Sequence, residues 1–241
     1  MLKIHSYETF ATQDGPWIRI VFFLQGCNFR CQYCQNPDTI SLEGGKLYSK
    51  EEIFAIAERE KEYFWKEGGV TFSWGNPLLQ AKELSEVLKY LKKKNIHTCV
   101  DTNGFYLTDE VKECIQYTDF FLPDIKQIDS IKHQKLTGFT NEMPLEFIKY
   151  IDQEKKNYWI RYVVLPGYTD DEKDLKKLWL FLQWLPNFQR IELLPYHNLW
   201  KAKREKLWRK YPLWNQKACT PQEIQKVKDI LSHYVQDILI R

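Results

Sequence analysis

Most of the features that mark unusual classes of protein are missing from this 241-residue sequence. With 10 glycines and 10 prolines it has too few of either for a collagen-like, low-complexity or linker-dominated chain. Its strongly apolar runs, residues 20–24 among them, fall far short of the ~20 residues a membrane-crossing helix needs. Met1-Leu2-Lys3-Ile4-His5 is not the basic-then-apolar start of a secretory leader. Charge of one sign is lacking too: 35 Lys and Arg face 32 Asp and Glu, a net +3, which argues against nucleic acid as the main partner. The expectation is a cytoplasmic protein that neither spans nor binds a membrane. In that reducing setting the six cysteines read as ligands, reactive thiols or core side chains rather than as disulfides.

What is present suits a folded α/β chain. Hydrophobic residues make up 44% and aromatics 15%, and a chain of this size buries roughly 70–75% of its unfolded surface without covalent staples. Six short runs rich in Val, Ile and aromatics, at 18–25, 70–73, 96–101, 120–124, 158–165 and 190–194, have the non-alternating pattern of strands buried on both faces. Helical segments lie between them. Ser49 with Glu52, Thr169 with Glu172, and Thr220 with Glu223 have capping-box spacing, the last with Pro221 at the first helical position. Leu84, Val87, Leu88 and Leu91 form an apolar stripe, as do Ile224, Val227 and Leu231. Six strand–helix repeats imply a parallel sheet, and six is fewer than a closed barrel's eight. The expected fold is an α/β partial, open (β/α)6 barrel, with residues 1–241 as one domain because no linker divides them.

In such folds chemistry gathers where strands end. The first strand runs into Gln25-Gly26-Cys27, the second into Ser73-Trp74-Gly75-Asn76, the third into Asp101-Thr102-Asn103-Gly104, the fourth into Asp124-Ile125-Lys126 and the sixth into Tyr196-His197. Cys27, Cys31 and Cys34 form C-x3-C-x2-C on one loop, whereas Cys99, Cys114 and Cys219 are scattered. Three soft thiolates suit an iron–sulfur cluster with one iron left open to a small molecule. Spacing alone also allows a zinc site completed by His5, His97 or His197, or unliganded thiols. Cys99 and Cys114 read as core thiols; Cys219 has no assignment.

The cysteine motif, with aromatic Tyr33 before its last member, resembles the signature of the radical S-adenosylmethionine (SAM) superfamily. The segments 14–16, 23–36, 97–105, 124–127, 159–167 and 191–197 are similar, in order, to the pyruvate formate-lyase-activating family. The resemblance implies a radical SAM barrel in which Cys27, Cys31 and Cys34 hold one 4Fe–4S cluster and S-adenosylmethionine chelates the fourth iron. Reductive cleavage to a 5′-deoxyadenosyl radical would then generate a glycyl radical on a partner enzyme under anaerobic conditions. Tyr33, Gln35, Gly75, Asn76, Asp124, Ile125, Lys126, Arg161 and His197 match cofactor-contact positions, and Asp101, Thr102 and Asp124 match a monovalent-cation site. The resemblance further implies a monomer, a pyruvate formate-lyase-like protein substrate and a flavodoxin- or ferredoxin-type electron donor. Activases of other glycyl radical enzymes, anaerobic ribonucleotide reductase included, are the enzymatic alternative.

Two departures stand against that pattern. Where the family has Gly-Gly-Glu, this chain has Trp74-Gly75-Asn76, and Trp17 and Trp200 also replace family glycines. Either the tryptophans are real, making the protein an inactive, partner-binding or retuned relative, or UGA codons for glycine have been read as tryptophan. Residues 201–217 carry Lys201, Lys203, Arg204, Lys206, Arg209, Lys210 and Lys217 against Glu205, with Trp200, Trp208 and Trp214 interleaved. This segment reads as a nucleic-acid-like patch or a solvated loop, and the resemblance would place it beside the site.

Overall fold

The computed structural model describes residues 1–199, 203 and 213–241. These divide into two units: Met1–Asn28 with Thr39–Pro123, and Phe29–Asp38 with Asp124–Arg241.

The first unit contains β1 (Leu2–Ala11), β2 (Arg19–Leu24), β3 (Lys46–Tyr48), α1 (Lys50–Arg59), β4 (Gly69–Ser73), α2 (Ala81–Lys93), β5 (His97–Thr102), α3 (Asp109–Tyr117) and β6 (Phe120–Pro123). Its strands run in the order β3-β1-β2-β4-β5-β6. β2, β4, β5 and β6 are parallel, and β1 pairs antiparallel with both β2 and β3. Every residue of β2, β4 and β6 is buried, which explains their continuous apolar composition. β1 was not expected: only Leu2 and Ile4 alternate into the core before the strand becomes exposed. α1 carries the full Ser49–Glu52 capping box, and α2 buries Leu84, Val87, Leu88 and Leu91 as its stripe requires.

At the starts of β2 and β4 lies Arg19, fully buried. Its guanidinium donates to Thr71 Oγ1 at 2.6 Å, Glu67 O at 2.7 Å, and Pro16 O and Val70 O at 3.0 Å. Thr71 Oγ1 in turn donates to Asp14 O at 2.7 Å. A buried charge is tolerable only when its donors are satisfied, and here those bonds fasten the Asp14-Gly15-Pro16 loop to the sheet. His97 lies against Arg19, and burial, with that cation, pushes its pKa down to about 4.

The second unit contains α4 (Ser130–Thr137), α5 (Glu142–Gln153), β7 (Asn157–Val164), α6 (Glu172–Leu182), β8 (Phe188–Pro195), α7 (Pro221–Ser232) and β9 (Ile238–Ile240). β7, β8 and β9 are parallel neighbours. α7 has the expected capping box and buries Ile224, Val227 and Leu231. The expected cap of α6 is corrected: Asp171 caps it, accepting from Lys173 N and Asp174 N. Thr169 is unavailable because its buried hydroxyl accepts from Leu165 N and donates to Val163 O, both at 2.8 Å, closing the preceding turn.

All six expected strands are present with ends shifted by at most two residues, and the short β3 and β9 join β1 as additions. Among the described residues no helix is long and apolar enough to cross a membrane. Most of the basic 201–217 segment, with Trp200 and Trp208, lies outside the described residues. Of the rest, Lys203 pairs with Asp38 at 3.4 Å.

Candidate cofactor site

The loop after β2 begins in the first unit. Gly26 N donates to Thr39 O at 2.8 Å and Cys27 N to Ile40 O at 3.2 Å, which fixes the first cysteine. Asn103, just past β5, brings its Nδ2 to 3.9 Å from Cys27 Sγ and donates to Asn28 Oδ1 at 3.1 Å. Asn76 donates to the same Asn28 oxygen at 3.0 Å and accepts from Thr102 Oγ1 at 2.8 Å. Thr102 Oγ1 also accepts from Gly104 N at 3.0 Å, and Ser73 Oγ donates to Asp101 Oδ2 at 2.7 Å. The ends of β4 and β5 thus bring Gly75, Asn76, Asp101 and Thr102 into one polar layer beside Cys27. His97 opens β5, whereas Asn103 follows its end; at about 3.3 Å per residue that spacing removes His97 as a co-ligand of Cys27.

Gly75 sits in this layer at φ +53°, and a Cβ there would lie 2.4 Å from Gly26 O. Its neighbour Trp74 is also at positive φ, 54°, and stacks on Phe23 with ring centroids 3.8 Å apart.

Cys31 and Cys34 belong to the second unit. Arg30 N donates to Thr137 O at 2.8 Å and Gln32 N to Leu136 O at 2.9 Å, both in the last turn of α4, and Cys34 N closes on Cys31 O at 3.1 Å. Phe29 stacks on Phe139 and meets His133 edge-on, each at 5.6 Å, anchoring the start of this stretch. Cys27, Cys31 and Cys34 are all half-buried, whereas Cys99 and Cys114 are buried in the core as expected. Burial pushes the Cys114 thiol well up, and it donates to Ala81 O at 3.0 Å. Cys219 is half-buried, its thiol raised to about 11 by burial and by Glu223.

Around Tyr33 the second unit gathers further expected residues. Lys126 Nζ pairs with Asp124 Oδ2 at 2.7 Å and lies 5.9 Å from the Tyr33 ring centre. Ile125 N donates to Arg161 O at 3.0 Å, and Asp124 bridges to Arg161 in parallel register. Arg161 directs Nε to Glu192 Oε2 at 3.2 Å, and Arg241 pairs with that carboxylate's other oxygen at 2.6 Å. Gln35 and His197 are half-buried, and burial lowers the His197 pKa, which favours neutral imidazole. Ser73 and Asn103 were named in the sequence only as strand-end residues, and Asn28 and Glu192 were not singled out. Asn28 and Asn103 adjoin motif residues, but their contact with the site is made across 75 residues of chain.

Two observations test whether a cluster and an adenosyl cofactor suit these residues. The donor set is three half-buried thiols on an eight-residue stretch. Among the described residues no three Cys, His, Asp or Glu side chains converge as a single ion would require, and a four-iron cube takes one thiolate per iron instead. The second is Tyr33, 3% exposed, whose hydroxyl has no hydrogen-bond partner among the described residues. Burial, then the neighbouring Cys31 and Asp124, pushes its pKa well up, so it remains a protonated donor. An orphaned buried hydroxyl costs about 1–3 kcal/mol unless a ligand accepts from it. The residues fit both groups.

Comparison with known proteins decides the family. Residues 21–178 match the model of the Radical SAM superfamily. The chain is 39% identical over 235 residues to the pyruvate formate-lyase 1-activating enzyme of Escherichia coli (strain K12), covering 96% of each. The chain belongs to the pyruvate formate-lyase-activating family of radical SAM enzymes. It is also 41% identical over 219 residues to the pyruvate formate-lyase-activating enzyme of Listeria monocytogenes serovar 1/2a, covering 88% of each. A crystallised domain of the Bacteroides vulgatus activating enzyme superposes with a TM-score of 0.61 at 30% identity, covering 72% of this chain and 99% of that one. The fold class is therefore α/β of the radical SAM partial-barrel type, as the six repeats indicated. Membership in this family implies a 4Fe–4S cluster and S-adenosylmethionine.

Proposed function

We propose that this protein installs a glycyl radical on a pyruvate formate-lyase-like enzyme in an anaerobic cytoplasm, working as a monomer whose 241 residues act as one domain. The observation that carries the reading is near-complete coverage of the E. coli activating enzyme together with an intact three-cysteine loop. Cys27, Cys31 and Cys34 would each hold one iron. When bound and reduced by a flavodoxin- or ferredoxin-type donor, the cluster supplies the electron that cleaves S-adenosylmethionine to the radical that takes a glycine hydrogen from the partner.

The chain's residues bind and orient. Asn103 directs an N–H toward Cys27 Sγ, and such contacts tune a metal-bound thiolate. Tyr33 offers its hydroxyl to the cofactor from a site that excludes water. Lys126, held by Asp124 and overlying Tyr33, presents a positive charge to the cofactor's carboxylate. Gly75 and Ile125 contribute close backbone, while Gln35, Arg161 and His197 complete the contacts. Asn76 keeps one lone pair after accepting from Thr102 and receives the cofactor's ammonium. As a neutral acceptor it contributes roughly half as much as a carboxylate would. Thr102 has donated its proton to Asn76 and accepts once from Gly104; with Asp101 its remaining lone pair suits the monovalent cation to which the resemblance also assigns Asp124.

The test is glycyl-radical electron paramagnetic resonance on pyruvate formate-lyase incubated with the reduced, iron-reconstituted protein and S-adenosylmethionine. A radical signal that requires the cofactor is expected. Absence of any iron–sulfur chromophore after anaerobic reconstitution would refute the reading. Were tryptophan the residue the cell inserts at 74, its stack on Phe23 would favour a second reading, a partner-binding relative, for which a brown chromophore without 5′-deoxyadenosine release is the signature.

A further inference from the structure

Among the described residues six non-glycine positions have positive φ: Phe10, Trp17, Trp65, Trp74, Asn95 and Lys155. Half are tryptophan, although tryptophan fills only nine positions of the sequence. A bulky L side chain in this region is a steric outlier, and such strain persists where the surroundings impose it. Three of the six have such surroundings. Asn95 and Lys155 each follow the C-cap of a helix, α2 and α5, where a left-handed residue ends the helix. Phe10 lies at the irregularity between Glu8 and Ala11 in β1, and bulges distort backbone in this way.

The tryptophans occupy positions whose backbone favours glycine. Trp65 at φ 46° also follows a C-cap, Phe64 of the short helical turn Lys61–Tyr63, but where Asn95 and Lys155 set a small or unbranched side chain it sets a bulky ring, at a position where glycine commonly stops a helix. Trp74 at φ 54° precedes Gly75 at φ 53°; two successive positive φ values are the demand of a type I′ turn, met by Gly-Gly, Asn-Gly or Asp-Gly. Trp17 has φ 60°. Trp17 is 53% and Trp65 78% exposed, so neither indole is held by a core. Their rings meet at 5.7 Å, and Trp17 Nε1 donates to Glu67 at 3.0 Å on the surface. Exposed contacts of this kind do not impose a strained backbone.

We infer that positions 17, 65 and 74 are glycine in the protein the cell makes, encoded by UGA triplets that its ribosomes read as glycine and that a UGA-as-tryptophan table has rendered as tryptophan. Glycine has no Cβ to clash at positive φ. The turn after β4 then becomes Ser-Gly-Gly-Asn, bare backbone beside Asn76 and Thr102, and Phe23 loses the indole that covers it. Other tryptophans follow the opposite logic. Trp159 lies in β7 with the Arg190 guanidinium 4.6 Å from its ring centre, and Trp179 in α6 stacks on Tyr234 at 5.3 Å; neither has positive φ. These are tryptophan, from UGG.

The test reads the gene's codons and the peptide masses of protein isolated from its source organism. UGA at 17, 65 and 74 and UGG at 159 and 179 are expected. Peptides covering the first three positions should each be lighter than the tryptophan form by one indolylmethyl group in exchange for hydrogen. UGG, or an intact tryptophan peptide, at any of those three positions overturns the inference. Recombinant protein provides a second readout that does not involve the loaded enzyme. The Trp17→Gly/Trp65→Gly variant, which loses only exposed side chains, should melt higher by roughly 2–8 °C per relieved position, and a lower melting temperature refutes the strain on which the inference rests.

Discussion

Replacing Gly75 by alanine adds one methyl group where the backbone leaves no room. The new Cβ would stand 2.4 Å from Gly26 O and 2.9 Å from Leu24 O. Both obstacles are backbone carbonyls, one ending β2 and the other in the loop just past it, so no side-chain rotation relieves them. Gly26 O is also held, accepting from Asn76 N at 2.8 Å. Positive φ alone costs an L residue about 1–2 kcal/mol, and overpacking adds about 1–3 kcal/mol. The sum, about 2–5 kcal/mol, corresponds to a fall in melting temperature of roughly 5–20 °C for a chain of this length. Because Gly26 precedes Cys27, the displacement passes directly to the first cysteine of the loop. Gly138→Ala and Gly167→Ala are the controls: both glycines have positive φ but nothing within 4 Å of the added Cβ. Those variants should lose only a few degrees and retain their iron. Thermal melts and iron and sulfide content per chain after anaerobic reconstitution measure the difference. If Gly75→Ala melts with the controls and loads the same iron, the close-approach argument is wrong.

Other perturbations separate the proposed cluster ligands from the scaffold. Cys27→Ser, Cys31→Ser and Cys34→Ser should each abolish the iron–sulfur chromophore, whereas Cys99→Ala and Cys114→Ala should keep it while lowering the melting temperature. Lys126→Met should weaken S-adenosylmethionine binding, read by calorimetry, with iron content unchanged; equal affinity would remove Lys126 from the site. Lys132→Met takes from buried Asp174 a partner at 2.6 Å. Breaking a fully buried pair costs about 3–5 kcal/mol; Lys132 is half-exposed and Gln127 still donates to Asp174 at 3.1 Å, so the loss measured by denaturant titration should fall below that range. His97 titrates near 4 in the fold against about 6.5 unfolded. The unfolded chain therefore binds the proton first as pH falls. The contribution is full above about pH 6.5 and is lost as pH falls toward 4, so His97→Gln should flatten the stability profile in that window.

The elements most legible in the sequence were those with the least ambiguous periodicity. β2, β4 and β6 are buried throughout, so their composition alone marks them, and α2 and α7 carry apolar stripes together with readable starts or faces. β1 alternates only at Leu2 and Ile4, and β3 and β9 are three residues long, too short to show any period. The cap of α6 was misplaced because two oxygen-bearing residues compete: Thr169 is drawn into its own turn, and Asp171 takes the helix. In the site, Cys27, Cys31 and Cys34 were legible by spacing, but Asn28 and Asn103 were not, since an asparagine after a motif residue has no distinctive spacing.

By itself the sequence determined the alternation of strand and helix, the three thiols on one loop and the polar character of the strand ends, because each depends on residues near one another in the chain. Tertiary structure alone decided which of those polar groups meet. The bonds from Asn76 and Asn103 to Asn28 span 48 and 75 residues and exist only because β2, β4 and β5 lie side by side in the parallel sheet. It also decided the backbone angles at Trp17, Trp65 and Trp74. Side-chain identity sets what a φ value costs, whereas the packing of the surrounding chain sets the φ value.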